Sequence, residues 1–270
     1  MIRLVAVDLD GTIVNGDGHC SAAVVKEIDR IRRMGICFAI CSGRPIESVR
    51  PLLDGWGLTD RPDYIIGSNG GEVEEIKTGK YAVTYTLDAE ILKEIIDLYE
   101  PLGLIPTLYG KDVLYVGKDT PETRYVAQRL RVKMEVRDIR SITKRPEMKE
   151  MFVLNPSLMP EAEAFAKAHP DPRYIAFKTA ADLFEFNHPL LAKDIGLRVV
   201  ASMMHITPDA ILAFGDTTND IEMLKYAGLG ICMGNGTEDA KNAADDICAS
   251  IQQDGVAEYL KAHLITEELI

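Results

Sequence analysis

No pair of cysteines in this chain has metal-binding or redox spacing. The five, at positions 20, 37, 41, 232 and 248, are odd in number, form no CxxC and have no His-rich segment beside them. That usage argues against a disulfide framework or a zinc module and for reduced, mostly buried thiols, as in a reducing cytoplasm. Long apolar runs are missing too. None approaches the roughly 18 to 20 residues that a membrane helix requires, so a soluble chain with no membrane partner is expected. Met1-Ile2-Arg3-Leu4 enters a strand pattern directly, without a basic region before a long apolar stretch, and predicts no signal peptide. Positive charge is short: 30 Lys and Arg stand against 42 Asp and Glu, a formal net charge of −12. This excludes a general nucleic-acid binder, whose affinity comes from neutralising phosphates, but not a small phosphorylated ligand in a cleft where a local Lys or Arg and a metal reverse the field. There is no Gly-x-x-x-x-Gly-Lys-Ser/Thr loop for an NTPase, and Gly228-x-Gly230-x-x-x-Gly234 has the wrong spacing for dinucleotide binding. Internal repeats, low-complexity segments and long charge blocks are absent.

What is present begins with rhythm. At roughly 150 residues per domain, 270 residues suggest two. Leu4-Val5-Ala6-Val7 reads as a buried strand. Ser21 then caps a helix with Val24, Val25, Ile28 and Ile31 at helical spacing, and Gly35 stops it. Strands at 36–41 and 64–66 follow, separated by a helix opened by Pro45. This alternation predicts a parallel sheet with helices on both faces. From Tyr81 the rhythm changes. A strand at 81–86 and a helix at 88–100 precede a hairpin of 105–109 and 113–116 around Gly110-Lys111-Asp112; helices near 122–130 and 160–168 mix with strands at 151–154, 174–177 and 183–186. The parallel pattern returns with a helix at 192–204 and a strand at 210–214. The expected fold is α/β, a doubly wound, Rossmann-like parallel-sheet core (residues 1–80 and 188–270) with an inserted α+β domain (residues 81–187).

The chemistry concentrates where strands end. Asp8-Leu9-Asp10-Gly11-Thr12 places two carboxylates two residues apart after a buried strand, where i and i+2 of an extended chain share a side. Crowded like charge calls for a cation or a shared proton. Gly215-Asp216-Thr217-Thr218-Asn219-Asp220 repeats the arrangement after the strand at 210–214, and in open α/β sheets such loops converge beyond the carboxyl ends of the strands. Oxygen-only donors in these numbers suit Mg²⁺. Ser42 precedes a helix N-terminus, which suits either an anion contact or a cap. Lys193 opens a helix, an unfavourable place for a cation unless something negative sits nearby.

In these residues the chain resembles the haloacid dehalogenase superfamily, specifically its Cof-type phosphatases with a large α/β cap between the second and third motifs. Asp8-x-Asp10-Gly11-Thr12, Ser42-Gly43-Arg44, Lys193 and Gly215-Asp216-x-x-Asn219-Asp220 resemble the four motifs in order, and Ser68-Asn69-Gly70 and Met233-Gly234-Asn235 resemble further signatures. The approach Pro189-Leu190-Leu191-Ala192 differs from the Gly-Val-Ser type usual in the family. The resemblance implies a phosphatase acting on small phosphorylated metabolites, sugar phosphates first. Asp8 would be the nucleophile that forms an aspartyl phosphate, and Asp10 the acid and base. Leu9, Thr12, Ser42, Gly43, Lys193 and Asn219 would bind the phosphate. Asp8, Asp10 (through its backbone carbonyl), Asp216 and Asp220 would serve Mg²⁺, Asp220 directly or by orienting Lys193 or a metal-bound water. A phosphomutase or phosphotransferase using the same intermediate is the alternative, and a phosphorylatable binding switch is the alternative from another class.

Overall fold

Leu4–Asp8 forms β1, and all five residues are buried. An alternating strand would leave one face polar; a continuous apolar run needs cover on both sides. A computed structural model, which describes residues 1–110, 113–130 and 132–264, supplies that cover. Helix α1 (Ala22–Arg33) follows, with Ser21 Oγ accepting from Val24 N at 3.2 Å at its start. Next come β2 (Cys37–Cys41), the short α2 (Ile46–Val49), β3 (Tyr64–Gly67), β4 (Glu72–Glu75) and β5 (Lys80–Val83). A second set comprises α3 (Ala89–Tyr99), β6 (Ile105–Gly110), β7 (Val113–Val116), α4 (Pro121–Leu130), β8 (Lys133–Val136), α5 (Ile139–Ile142), β9 (Lys149–Val153), α6 (Met159–Ala168), β10 (Ile175–Ala180) and β11 (Leu183–Asn187). The chain closes with α7 (Lys193–Met204), β12 (Ile211–Gly215), α8 (Ile221–Tyr226), β13 (Leu229–Cys232), α9 (Glu238–Ala243), β14 (Asp246–Ile247) and α10 (Gly255–His263).

Two compact units result, Met1–Thr84 with Ala192–Ile270, and Tyr85–Leu191. The first holds a sheet in the order β14-β13-β12-β1-β2-β3-β4-β5, parallel except for β4 and β5. Side chains of β1 alternate between two cores: Val5 and Val7 pack with Phe38, Phe214 and Ile28 of α1, whereas Leu4 and Ala6 pack with Leu197 and Val200 of α7. That is the doubly wound arrangement. The second unit has a sheet in the order β10-β11-β9-β6-β7-β8, antiparallel except between β7 and β8. Its core gathers around Tyr99, with Phe186 at 4.6 Å and Phe165 at 5.2 Å between ring centroids. The strands of the expected hairpin pair from Thr107↔Val116 to Gly110↔Val113, and the turn residues Lys111 and Asp112 lie outside the described residues. No helix among the described residues is long and apolar enough to cross a membrane.

The strand expected to open the inserted domain is instead an edge of the first sheet. Residues Lys80–Val83 pair antiparallel with β4, which the charged run Glu72-Val73-Glu74-Glu75 hides from pattern reading, and β4 pairs with β3. The units accordingly divide after Thr84 and Leu191, not after residues 80 and 187.

Close backbone approach sets the position of α7. Gly70 is left-handed at φ 91°, and a Cβ there would run into the main-chain oxygen of Ala192. A Cβ on Gly196 would lie 3.0 Å from Gly70 Cα and overlap Ile66. Helix propensity alone favours alanine over glycine by about 1 kcal/mol. Here the sign should reverse: Gly196→Ala is expected to lose about 1–3 kcal/mol of stability in denaturant unfolding. A more stable variant would disprove the contact.

Glu150 of β9 is fully buried, pairs across with Phe186 and has no hydrogen-bond partner for either carboxyl oxygen among the described residues. Burial, with Glu147 adding to it, holds the carboxyl well above its ordinary value of 4.5. The folded chain therefore keeps a proton that the unfolded chain releases. Stability from this group is full below about 4.5 and declines as pH rises toward the folded value, by up to roughly 1.4 kcal/mol per pH unit. Glu150→Leu should raise the melting temperature, and by more at about pH 8 than at about pH 5. Thermal melts that show a constant difference contradict this.

Candidate active site

Parallel registry puts three strand ends level. Val7 pairs with Phe214 and Asp8 with Cys41, so Asp8, the segment after Gly215 and Ser42 leave the sheet at the same edge. Asp8, Asp216 and Asp220 are all buried, and one carboxylate oxygen from each lies within 4.8 Å of the others. Lys193, 1 % exposed, stands between two of them, with Nζ 2.5 Å from Asp8 Oδ1 and 2.6 Å from Asp220 Oδ1. The negative neighbour that a cation at a helix start demands is thus two carboxylates. The other oxygen of Asp220 accepts from the amides of Asp216 (2.9 Å) and Thr217 (3.0 Å). Both oxygens of Asp220 are therefore committed.

Burial opposes the charge on Lys193, but Asp8 and Asp220 outweigh it and hold the ammonium above its ordinary range. The Asp8 carboxyl moves up as well: burial raises it, Lys193 pulls it down, and Asp220 pushes it up again. The two ends rise for different reasons: burial is the main cause at Asp8, whereas at Lys193 two carboxylates facing a single ammonium outweigh burial. Asp216 is pushed up to about 6 by burial and Asp220, against a hydrogen bond from Thr12 Oγ1 at 3.2 Å. Three carboxylates and one ammonium leave two negative charges in a buried pocket. A divalent, oxygen-seeking cation such as Mg²⁺ fits that donor set in charge and in chemistry.

Asp10 does not join the cluster. Regular pairing of β1 stops at Asp8, and Gly11 turns the chain at φ 92°, so the i, i+2 alternation ends with the strand. Asp10 bonds instead to Arg44 through two contacts, 2.8 Å to Nε and 2.7 Å to Nη2, with its side chain 51 % exposed. Three of the four acids converge, and from Asp10 only the main chain remains to face the cluster. The Leu9 side chain is fully buried in the apolar core, which likewise leaves only its backbone. Ser42 is buried, and its Oγ accepts from Arg44 N at 3.1 Å, a local turn contact. Gly43 has Asn69 against it, and Asn219 donates from Nδ2 to Asn69 Oδ1 at 3.2 Å.

Glycine is required at position 11, because a Cβ there would overlap the Asp216 carboxylate. Asn235 Nδ2 donates to Gly11 O at 2.9 Å, while its Oδ1 accepts from Ile251 N at 2.8 Å, tying the first loop to the end of the chain. Arg44, Asn69 and Asn235 therefore belong to this neighbourhood although spacing alone assigns them nothing. The available signals are the resemblance of Ser42-Gly43-Arg44, Ser68-Asn69-Gly70 and Met233-Gly234-Asn235 to family signatures and the place of each in a turn that follows a buried strand, as with Asp8 and Asp216.

Comparison with known proteins bears on the family and the fold. A Bacillus subtilis protein, 5-amino-6-(5-phospho-D-ribitylamino)uracil phosphatase YitU, is 26 % identical over 273 residues, covering 96 % of this chain and 97 % of its own. The crystal structure of TM0651 from Thermotoga maritima superposes with a TM-score of 0.87 at 26 % identity, covering 99 % of each chain. That of BT4131, described as a sugar phosphatase of haloacid dehalogenase subclass IIB, does so with a TM-score of 0.81 at 19 % identity, covering 98 % of this chain and 100 % of the other. The sequence profile of the haloacid dehalogenase-like hydrolases matches residues 5–260, a span that takes in every strand end described above, and the chain belongs to that family.

Proposed function

We propose that this hydrolase is a Mg²⁺-dependent phosphatase that cleaves small phosphomonoesters, sugar phosphates first, through an aspartyl phosphate on Asp8. The observation that carries the reading is the buried Lys193, which anchors one oxygen of Asp8 and leaves the other without a hydrogen bond among the described residues. An anchored carboxylate with one oxygen to spare is a positioned nucleophile. The oxygen of Asp8 attacks phosphorus, the ester P–O bond breaks, and the departing alkoxide takes a proton from Asp10. Water then attacks the acyl phosphate, giving a proton back to Asp10 and releasing inorganic phosphate.

To act so, Asp10 leaves Arg44. The pair is 51 % and 41 % exposed, so solvent can replace its contacts when Asp10 swings away. Lys193, Ser42 Oγ, the Gly43 amide and Asn219 supply positive charge and donors to the phosphoryl oxygens, with Thr12 and the Leu9 backbone beside them. Asp8, Asp216 and the Asp10 carbonyl would hold the metal, which when bound neutralises phosphate charge and fixes its orientation. Asp220 serves through Lys193 and the turn at 216–217, since its own oxygens are occupied. The phosphatase names of the relatives support hydrolysis, and the sugar phosphatase BT4131 supports the substrate class.

Phosphate release from a panel of sugar phosphates, measured alongside isomer formation, tests the reading: release should need Mg²⁺ and stop with a chelator. Asp8→Asn should lower kcat by about three orders of magnitude or more, and a variant with most of its kcat intact rules out Asp8 as nucleophile. Relief of crowded charge gives a separate readout. Metal-free Asp216→Asn should melt about 2–4 °C above the metal-free parent yet gain nothing from added Mg²⁺, whereas the parent gains. Equal Mg²⁺ stabilisation of both would remove Asp216 from the metal site.

A further inference from the structure

Ser68-Asn69-Gly70 has no role in the chemistry above, yet its backbone is costly. Ser68 and Asn69 are both left-handed, at φ 50° and 54°. Two successive non-glycine residues in that region cost about 1–2 kcal/mol each and persist only where the surroundings hold them. They are held here on every side. Ser68 N donates to Arg44 O at 2.9 Å and Asn69 N to Ser42 O at 3.0 Å. Ser68 Oγ donates to Glu72 Oε1 at 2.8 Å, an oxygen that also accepts from Ile46 N at 2.9 Å, while Tyr81 donates to Glu72 Oε2 at 2.7 Å. Glu72 is 3 % exposed. A buried carboxylate thus ties the loop after β3 to the loop after β2.

The constrained turn delivers Asn69 to Gly43: a methyl group on Gly43 would sit 3.1 Å from Asn69 Oδ1 and 3.5 Å from Nδ2. The direction of its amide follows from a chain of contacts. Thr217 Oγ1 accepts from the amide of Asp220 in a capping box, so its own proton needs an acceptor. That acceptor is Asn219 Oδ1 at 2.6 Å, a length proper to O–H···O and short for N–H···O. Asn219 consequently turns its Nδ2 toward Asn69, whose Oδ1 accepts at 3.2 Å. The Nδ2 of Asn69 is left as a donor with no acceptor among the described residues, between Gly43 and Asn219.

We infer that Asn69 is a phosphate-contacting residue: its Nδ2–H donates to an oxygen of the phosphoryl group that Gly43 and Asn219 bind, and Ser68 and Glu72 are positioning residues that act through the left-handed turn. This rests on the phosphatase reading. A phosphoryl oxygen is an acceptor, and the Asn69 Nδ2–H, which has no acceptor among the described residues, is a donor beside Gly43 and Asn219.

Binding of inorganic phosphate with Mg²⁺, measured by calorimetry, tests the contact without requiring turnover; hydrolysis of p-nitrophenyl phosphate is followed in parallel. Asn69→Gly relieves the left-handed strain while removing the donor. It should keep or raise the melting temperature while phosphate binding and kcat/KM fall about 10- to 100-fold, the range for a hydrogen bond to a charged group. Asn69→Asp keeps a residue that tolerates this backbone and keeps the acceptor for Asn219, but sets an anion against the phosphate, so its losses should exceed those of glycine. Variants that fold and bind phosphate as the parent does overturn the inference. A parent that binds phosphate without hydrolysing any ester counts against the phosphatase reading, while the binding comparison still decides the contact.

Discussion

One buried ammonium group lies between two buried carboxylates, and the organisation of this edge of the sheet follows from it. Lys193 starts a helix, where the dipole repels it, and is buried, where desolvation penalises it. Neither penalty is tolerable without Asp8 at the end of β1 and Asp220 after β12. The interaction therefore binds three segments remote in sequence into one geometry. An exposed pair would contribute little; a buried one is conditional, because removing one member strands the others. The glycine contact between Gly70 and Gly196 serves the same end by letting α7 approach the turn after β3.

Asp220 acts as the hub on the second loop. One oxygen holds Lys193, the other gathers two successive amides, and the Thr217 side chain caps the residue's own amide. Even the preceding glycine belongs to this design, since a Cβ on Gly215 would stand 2.5 Å from that of Asp220. A residue so fully engaged places its neighbours. Asp216, whose side chain is bonded among the described residues by Thr12 alone, keeps coordinating capacity.

Much of this is legible in the amino-acid order where a local rule applies. Leu4-Val5-Ala6-Val7 followed by acids announces a buried strand and a site, and Ser21 with its helical stripe announces α1. Legibility ends where long-range pairing decides. Glu72-Val73-Glu74-Glu75 has poor strand composition, yet Glu72 is buried because Ser68, Tyr81 and the Ile46 amide need its oxygens. Without β4 the strand at Lys80–Val83 has no visible partner and falls to the wrong unit. Helix α10 escapes for a related reason: its buried Val256, Tyr259 and Leu260 cover a core made largely by residues more than two hundred positions earlier. Asp10 departs from the alternation rule because the rule lapses once the strand ends.

Interruption of the first unit by the second has a consequence for how the molecule is made. Leu4 pairs with Ile211 and Val7 with Phe214, so the strand carrying Asp8 emerges from a ribosome long before its central neighbour exists. Until then β1 has β2 on one edge and an open row of amides and carbonyls on the other, the kind of edge that invites mispairing. Collapse of residues 85–191 into their own core draws the two ends of the intervening chain together and lowers the entropic cost of closing the long loop. A folded insertion thus makes closure of the parent sheet less costly than an unstructured loop of the same length would.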